Sequence, residues 1–378
     1  MKIIQIGLEW FPEQGGGLDR VYYDCTRYLP KVGVELNGLV AGTSNVAKSS
    51  QGKIFAFAPP NISLLQRWLE LRKLFTRLSQ QNHYSLVVSH FALHIFPLLN
   101  LLDKRPLVTH FQGPWALESK IEGNNFLSIR LKKAIEKISY NRSSSFIVLC
   151  QEFQNLLHHE YGIPLSKIHV IPAGVDLDRF NIDPSQTEAR KKLGWDTNKT
   201  ILFCIRRLAK RMGLENLITA MDRVCKLDPD VILYIAGKGK LASELEAKIA
   251  ELGLAENIKL LGYVPDEQLP LYYRAANFSV VPTIALEGFG LIVIESLAAG
   301  TPVIGTPIGG IYEILKPFSE DLVLKGSTSE QIADGIIEAL QGKRKLPSES
   351  DCLNYVRNNY DWNVVAKKIK QVYQEAIS

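Results

Sequence analysis

Short apolar runs alternate with segments of helical spacing along this chain, and the series runs twice. In the first half Lys2–Gly7, Val34–Ala41, Lys53–Ala58, Ser85–Ser89, Leu107–Phe111, Ser145–Cys150 and Ile168–Ile171 read as strands, with helical segments such as Leu18–Leu29 between them. Pro172-Ala173-Gly174-Val175-Asp176 ends the series, and the polar stretch 174–196 reads as a linker. The pattern restarts with Thr200–Ile205, Val231–Ala236, Ile258–Leu261, Phe278–Val281 and Pro302–Gly305, each followed by a helix except the third. A strand that runs parallel to its predecessor needs a crossover, and a helix supplies one, so two parallel α/β domains are expected. Their bounds are expected at 1–174 and 175–362, and the 378 residues suit two domains of ordinary size. A last amphipathic helix, Asn363–Ile377, sets Val365, Ile369, Val372, Tyr373 and Ala376 on one face. Two such domains facing one another would make a cleft, a favoured place for ligands.

Hydrophobic residues make up 46% and charged residues 22%, values of a globular chain with material for both cores. The net charge of +5 is unevenly placed: residues 1–180 hold 20 Lys and Arg against 14 Asp and Glu, leaving the rest at −1. The helical stretches Leu64–Leu78 and Phe126–Arg142 mix leucines with Arg67, Arg72, Lys73 and Arg77, and with Arg130, Lys132, Lys133, Lys137 and Arg142. Such helices either form the outer layer of an α/β domain or lie on an anionic bilayer, so peripheral membrane contact is one expected partner. Five cysteines without CxxC spacing argue against a disulfide framework and a structural zinc site. The first residues enter a strand pattern without a signal-peptide layout, and the run Leu86–Leu102 is broken by His90, His94, Pro97 and Asn100. A cytoplasmic location, at the inner face of a membrane if the basic helices dock there, is the expectation.

The densest functional signal is Glu287-Gly288-Phe289-Gly290-Leu291-Ile292-Val293-Ile294-Glu295, after the strand Phe278–Val281 and opening the helix Leu291–Ala299. A loop at a strand's carboxyl end is where open α/β sheets bind ligands. Gly288 and Gly290 let backbone approach a ligand, and free N–H groups at the helix start suit a phosphate. Two carboxylates beside a phosphate and sugar hydroxyls describe a sugar-nucleotide site. Arg206-Arg207-Leu208-Ala209-Lys210-Arg211-Met212-Gly213 follows the strand Thr200–Ile205 and would hold a diphosphate by charge-assisted hydrogen bonds. Gly237 and Lys238 follow a third strand and could meet phosphate, and Tyr263-Val264 could edge a nucleobase.

In the first half Gly15-Gly16-Gly17 stands too far from Gly7 to make a GxGxxG fingerprint, so a glycine loop facing the cleft is the better reading. Strand alternation puts His110 and Gln112 on one side, both aimed at the cleft, whereas His90, His94, His158, His159 and His169 read as structural. HExxH spacing and GxSxG are missing, and basic residues already stand where a metal would neutralise phosphate, so neither a metal nor a Ser-His-Asp triad is expected.

Taken together these residues resemble a family-4 (GT4) glycosyltransferase, a group 1 glycosyl transferase of the GT-B fold. Phe11-Pro12 through Gly17 resembles the family's opening loop, Ile171–Asp176 its IPxGVD junction, and Glu287 to Glu295 its E-x7-E element. Ala299–Ile304 and Gly309–Ile314 also fit, so the resemblance covers nearly the whole chain. It implies two Rossmann-like domains, the first for the acceptor and the second for the nucleotide-sugar donor, with the C-terminal helix, about 363–378, returning to the first. It implies retaining, metal-independent transfer from a UDP-, GDP- or ADP-sugar to a hydroxyl of a glycan, a lipid-linked or a small-molecule acceptor, with no cofactor and no nucleic acid. Glu295 would hold the ribose, Glu287 the donor sugar, and Gly290 and Leu291 the phosphate, with Gly288 and Phe289 between them. The chain departs from the family twice. Met212 stands where the family has lysine, with Arg207 matching its arginine and Arg211 as the substitute cation, and Gln112 stands where it often has histidine. Either His110 takes that second role or an amide serves there.

Three rivals share features of the pattern. An epimerase of the same fold needs acid–base groups against the sugar ring that are not identifiable here. A sugar-binding protein has no use for the arginine loop. A partner subunit without activity would not require Glu287 and Glu295.

Overall fold

The computed structural model describes residues 1–11, 13 and 15–378, so Pro12 of the opening loop lies outside the described residues. The chain forms two compact units, one of Met1–Gly174 with Trp362–Ser378 and one of Val175–Asp361. In the first unit β1 (Lys2–Glu9), β2 (Glu35–Ala41), β3 (Ile54–Ala58), β4 (Leu86–Ser89), β5 (Leu107–Phe111), β6 (Ser145–Val148) and β7 (Ile168–Val170) lie in the order β3-β2-β1-β4-β5-β6-β7. In the second, β8 (Thr200–Ile205), β9 (Val231–Ala236), β10 (Ile258–Gly262), β11 (Phe278–Val281) and β12 (Val303–Gly305) lie in the order β10-β9-β8-β11-β12. All pairings are parallel. The strand order reverses between β1 and β4 and again between β8 and β11, and each reversal opens a crevice at the strands' carboxyl ends.

Strands covered by helices on both faces read as continuous apolar runs. Every residue of β5 and β11 is buried, which is why these segments show no alternation in the sequence. The core of the second unit packs Leu202 and Cys204 of β8 against Leu217, Met221 and Val224 of the helix Leu214–Leu227. Registry there sets the site: Ile205 stands opposite Ala236, and Val281 opposite Gly305, so the loops leaving four strands emerge together.

Two sequence expectations need correction. The polar stretch 174–196 is no open linker: it holds the helices Leu177–Phe180 and Gln186–Leu193. The second begins in a capping box of Ser185 and Glu188, and its buried Arg190 donates to the Ala275 carbonyl at 2.8 Å and to Asn277 Oδ1 at 2.8 Å. Polar composition there reflects an arginine spent on backbone carbonyls. The third strand of the second series is also followed by a helix, Leu269–Ala275, with a proline in its first turn.

The C-terminal helix Trp362–Ile377 packs within the first unit, burying Val365, Ile369, Val372 and Tyr373. Trp362 stacks on Tyr28 at 5.7 Å, and Lys370 Nζ donates to the Val32 carbonyl at 2.7 Å. The Tyr373 hydroxyl meets His110 Nε2 at 2.7 Å, in a place where both groups are buried. Removing that hydroxyl leaves a buried ring nitrogen unpaired, at a cost of about 1–3 kcal/mol. Tyr373→Phe should therefore lower stability to urea by that amount; an unchanged midpoint would mean that the bond does not anchor the helix.

Candidate functional site

The crevice between β8 and β11 brings the two strongest sequence signals together. Arg206, the first residue after β8, donates through Nη2 to Glu287 and to Thr283 Oγ1. Thr283 in turn reaches Glu287 at 3.3 Å, and Thr306, past β12, fixes Thr283 by donating to its carbonyl at 2.6 Å. The side chains of Arg206 and Glu287 are only 7% and 12% exposed, so this is a largely buried ion pair at the crevice. Burial pushes the Glu287 carboxyl up, but the charge and hydrogen bond of Arg206, with help from Arg211 and Thr283, outweigh it and hold it below the usual range.

The sequence reading gave the cationic role to Arg207 and Arg211. Arg207 is exposed, whereas Arg206 is buried, because successive side chains of extended backbone point to opposite sides. Arg211 is buried and donates to the Leu286 carbonyl at 2.9 Å, next to Glu287. Met212 turns into the hydrophobic core, so Arg211 is the cation that this turn sets beside the glutamate loop. Leu286 takes a positive φ of 53° without being glycine, a strained conformation of the kind that collects at functional loops.

Gly237 fits closely, but against protein. Its φ is 136°, and a Cβ there would fall 1.9 Å from the Arg206 carbonyl oxygen. Its glycine is thus explained by the seating of the arginine loop, whatever ligand comes near it. The neighbouring Lys238 lies over the Tyr263 ring at 4.9 Å, and Tyr263 is 57% exposed while Val264 is buried. An open aromatic face with a cation beside it can take a flat ring.

The helix Leu291–Ala298 starts after Gly290, and its first N–H groups have no partners within the helix. One turn in, the buried Glu295 accepts from the Tyr273 hydroxyl at 3.1 Å. Gly288 and Phe289 are buried, and the Phe289 ring packs on Tyr360 at 5.8 Å, so that side chain serves the core and only its backbone borders the loop. Thr283, Arg206 and Tyr273 are the site residues that sequence spacing missed; of these only Arg206 carried a signal, as one of two adjacent arginines.

In the first unit His110 is turned inward. It is 3% exposed, its ring stacks on His90 at 4.3 Å, and burial lowers its pKa to about 3. Gln112 donates to His90 Nδ1 at 3.0 Å, so both residues at this end of β5 are spent on His90 and Tyr373. His110, expected to aim at the cleft, is thus a buried ring that burial holds neutral. Cys25, His90 and His110 offer ligand atoms within 4.8 Å of one another and suit a metal by type; His110 Nε2 and His90 Nδ1 are engaged by Tyr373 and Gln112, while His90 Nε2 is buried without a hydrogen-bond partner. Gly15, Gly16 and Gly17 are exposed at the start of the helix Gly17–Tyr28. Beside them Asp19, which no spacing picked out, accepts from the Glu9 N–H at 3.0 Å, and burial raises its pKa to about 7.

Two family models match this chain: Glycosyltransferase Family 4 over residues 15–179 and Glycosyl transferases group 1 over residues 185–362. An uncharacterized glycosyltransferase of Methanocaldococcus jannaschii is 28% identical over 255 residues, 65% of this chain and 63% of the relative. A phosphatidyl-myo-inositol mannosyltransferase of Mycobacterium leprae is 30% identical over 208 residues, 54% of this chain and 52% of the relative. The match thus spans less than two thirds of the length of either relative. Among solved structures, sucrose-phosphate synthase from Thermosynechococcus elongatus superposes with a TM-score of 0.84 at 19% identity, covering 99% of this chain and 98% of that one. The Anabaena protein HepE, solved in complex with UDP-glucose, gives 0.80 at 20% identity, covering 99% and 100%. At such identities the structural likeness shows the fold.

Proposed function

Because the chain belongs to the family-4 glycosyltransferases, the group 1 glycosyl transferases of GT-B fold, we propose that it moves a sugar from a nucleotide-sugar donor to a hydroxyl acceptor with retained anomeric configuration. The observation that carries this reading is the Arg206–Glu287 pair set beside the start of the helix that carries Glu295. The donor's diphosphate would lie against the N–H groups of Gly290 and Leu291, with Arg206, Arg207, Arg211 and Lys238 supplying positive charge. Glu295 would take the ribose hydroxyls, Glu287 the hydroxyls of the transferred sugar, and the exposed Tyr263 ring the base.

In this proposal the bond between the anomeric carbon and the diphosphate oxygen breaks as the acceptor oxygen bonds that carbon on the same face. The acceptor's proton passes to the departing phosphate, so no protein nucleophile is needed. The cluster of arginines would stabilise the leaving charge in place of a metal. Neighbouring folds bind UDP and UDP-glucose, and relatives use GDP-mannose, so a UDP- or GDP-sugar is the donor class proposed. The acceptor would be a glycan, a lipid-linked or a small-molecule hydroxyl met by the first unit, and the reaction would run on the cytoplasmic side.

A panel of UDP, GDP and ADP tests the reading by thermal shift, followed by donor turnover with the nucleotide that binds. One nucleotide should raise the melting temperature, and Glu295→Ala should weaken its binding roughly ten- to a hundredfold through loss of a charged acceptor, about 1.5–3 kcal/mol. Stabilisation by free sugars and by no nucleotide would overturn the proposal in favour of a sugar-binding protein. A product of inverted configuration would overturn its stereochemistry.

A further inference from the structure

Fourteen large hydrophobic side chains stand exposed among the described residues, and eight of them fall between Leu64 and Ile138 in the first unit. They are not scattered. The helix Phe126–Asn141 buries Ile135, Glu136, Ser139 and Tyr140, and turns the opposite stripe outward: Leu127, Arg130, Leu131, Lys137 and Ile138. These positions recur at helical spacing, so they form one continuous outer face. Leu127 is 77% and Leu131 63% exposed, with Phe126 open at the helix start. The helix Leu64–Gln81 does the same, burying Leu71, Phe75 and Leu78 and exposing Leu65, Leu69 and Lys73. Both helices pack on the segment Phe96–Leu101, and Trp68 of one touches Phe96 at 5.5 Å, so the two apolar faces flank one stretch of the same unit.

Charge identifies the occupant. Residues 61–142 hold twelve Lys and Arg against five Asp and Glu, a surplus of seven within a chain whose whole net charge is +5. One of the five acids, Glu136, is buried under the helix, where burial raises its pKa to about 7. An outer face of leucines interleaved with cations fits a surface that is apolar beneath and negative above. A partner protein or second copy that covered the leucines would have to supply acidic side chains at each cation; a bilayer with anionic head groups supplies both features at once. Among the described residues no helix is long and apolar enough to cross a membrane, so contact would be lateral.

We infer that the outer faces of Phe126–Asn141 and Leu64–Gln81 form a docking surface for an anionic lipid bilayer, with Leu127, Leu131, Leu65 and Leu69 entering the acyl boundary and Arg130 and Lys137 meeting phosphate head groups. The inference stands on the first unit alone and goes beyond the transfer reading.

Co-sedimentation of the full chain with vesicles of phosphatidylcholine, and of phosphatidylcholine mixed with phosphatidylglycerol, tests it. Binding should be confined largely to the mixed vesicles and should weaken with salt. Leu127→Glu/Leu131→Glu should remove it. Arg130→Glu/Lys137→Glu should weaken it by about fivefold for each cation lost, without touching a buried residue. Leu227→Glu, at an exposed leucine of the second unit, should bind as the parent does. Failure of the parent to bind mixed vesicles, equal binding by the leucine variants, or variants that dissolve an oligomer while vesicle binding persists would each overturn the inference. Nucleotide thermal shifts on the same samples separate the two readings, since they should survive in every one of these variants.

Discussion

Glu287→Ala should lose sugar transfer and about 3 kcal/mol of folding stability together. The stability loss follows from the partner left behind: Arg206 is 8% exposed, and an uncompensated buried charge costs about 3–5 kcal/mol. Thr283 stays as an acceptor for the guanidinium, which favours the lower end. The transfer loss follows from the proposed role of the carboxylate on the donor sugar. The two effects can be parted. Removing both partners, as in Glu287→Ala/Arg206→Met, should restore most of the stability, because an apolar replacement of a buried pair is often neutral, while transfer stays lost. Acid gives a second readout. The Glu287 carboxyl sits below its ordinary value in the fold, so its contribution is present above the unfolded value near 4.5 and is lost as pH falls through the lower folded one. Glu287→Gln should lack that part of the acid loss. Urea unfolding at neutral pH and below pH 4.5, with donor turnover on the same variants, would check each arm. An alanine variant as stable as the parent would show that the pair is solvated and that Arg206 has another partner.

What the sequence disclosed and what it concealed divide along a physical line. The parallel sheets were legible because strands buried on both faces are written as largely apolar runs, as in Ile201–Ile205. The acidic loop was legible because two glutamates around glycines at a strand end have few structural reasons to be there. Which of Arg206 and Arg207 pairs with Glu287 was not, since adjacent residues point apart and one residue of strand overrun decides which is buried. The short helix Gln186–Leu193 could have been found: Ser185 and Glu188 stand at capping-box spacing, a signal that polar composition masked. The bond of His110 to Tyr373 spans 263 residues, and no local pattern encodes it. Periodicity thus yields elements, and spacing yields loops, while pairings made by the folded sheet wait for the structure.

Gly309→Ala should damage the second unit and its proposed donor site together. Gly309 holds φ at +50°, and a Cβ there would stand 2.0 Å from the Glu287 carbonyl oxygen, which the Gly310 N–H meets at 3.1 Å. A backbone oxygen cannot swing aside as a side chain can, so the loop from Leu286 to Gly290 must shift as a body. That loop carries Glu287 and the start of the helix with Glu295, so both halves of the proposed donor site would move. Left-handed backbone alone costs a non-glycine residue roughly 1–2 kcal/mol. Gly253 isolates that share: its φ is +68°, and a Cβ there meets nothing within 4 Å. Gly253→Ala should therefore cost about 1 kcal/mol and leave nucleotide binding intact. Gly309→Ala should cost roughly 1–3 kcal/mol more for the overlap and abolish the nucleotide thermal shift. Equal losses in the two variants would mean that the Glu287 loop yields freely, and that its geometry is set by the ligand instead of by the glycine beneath it.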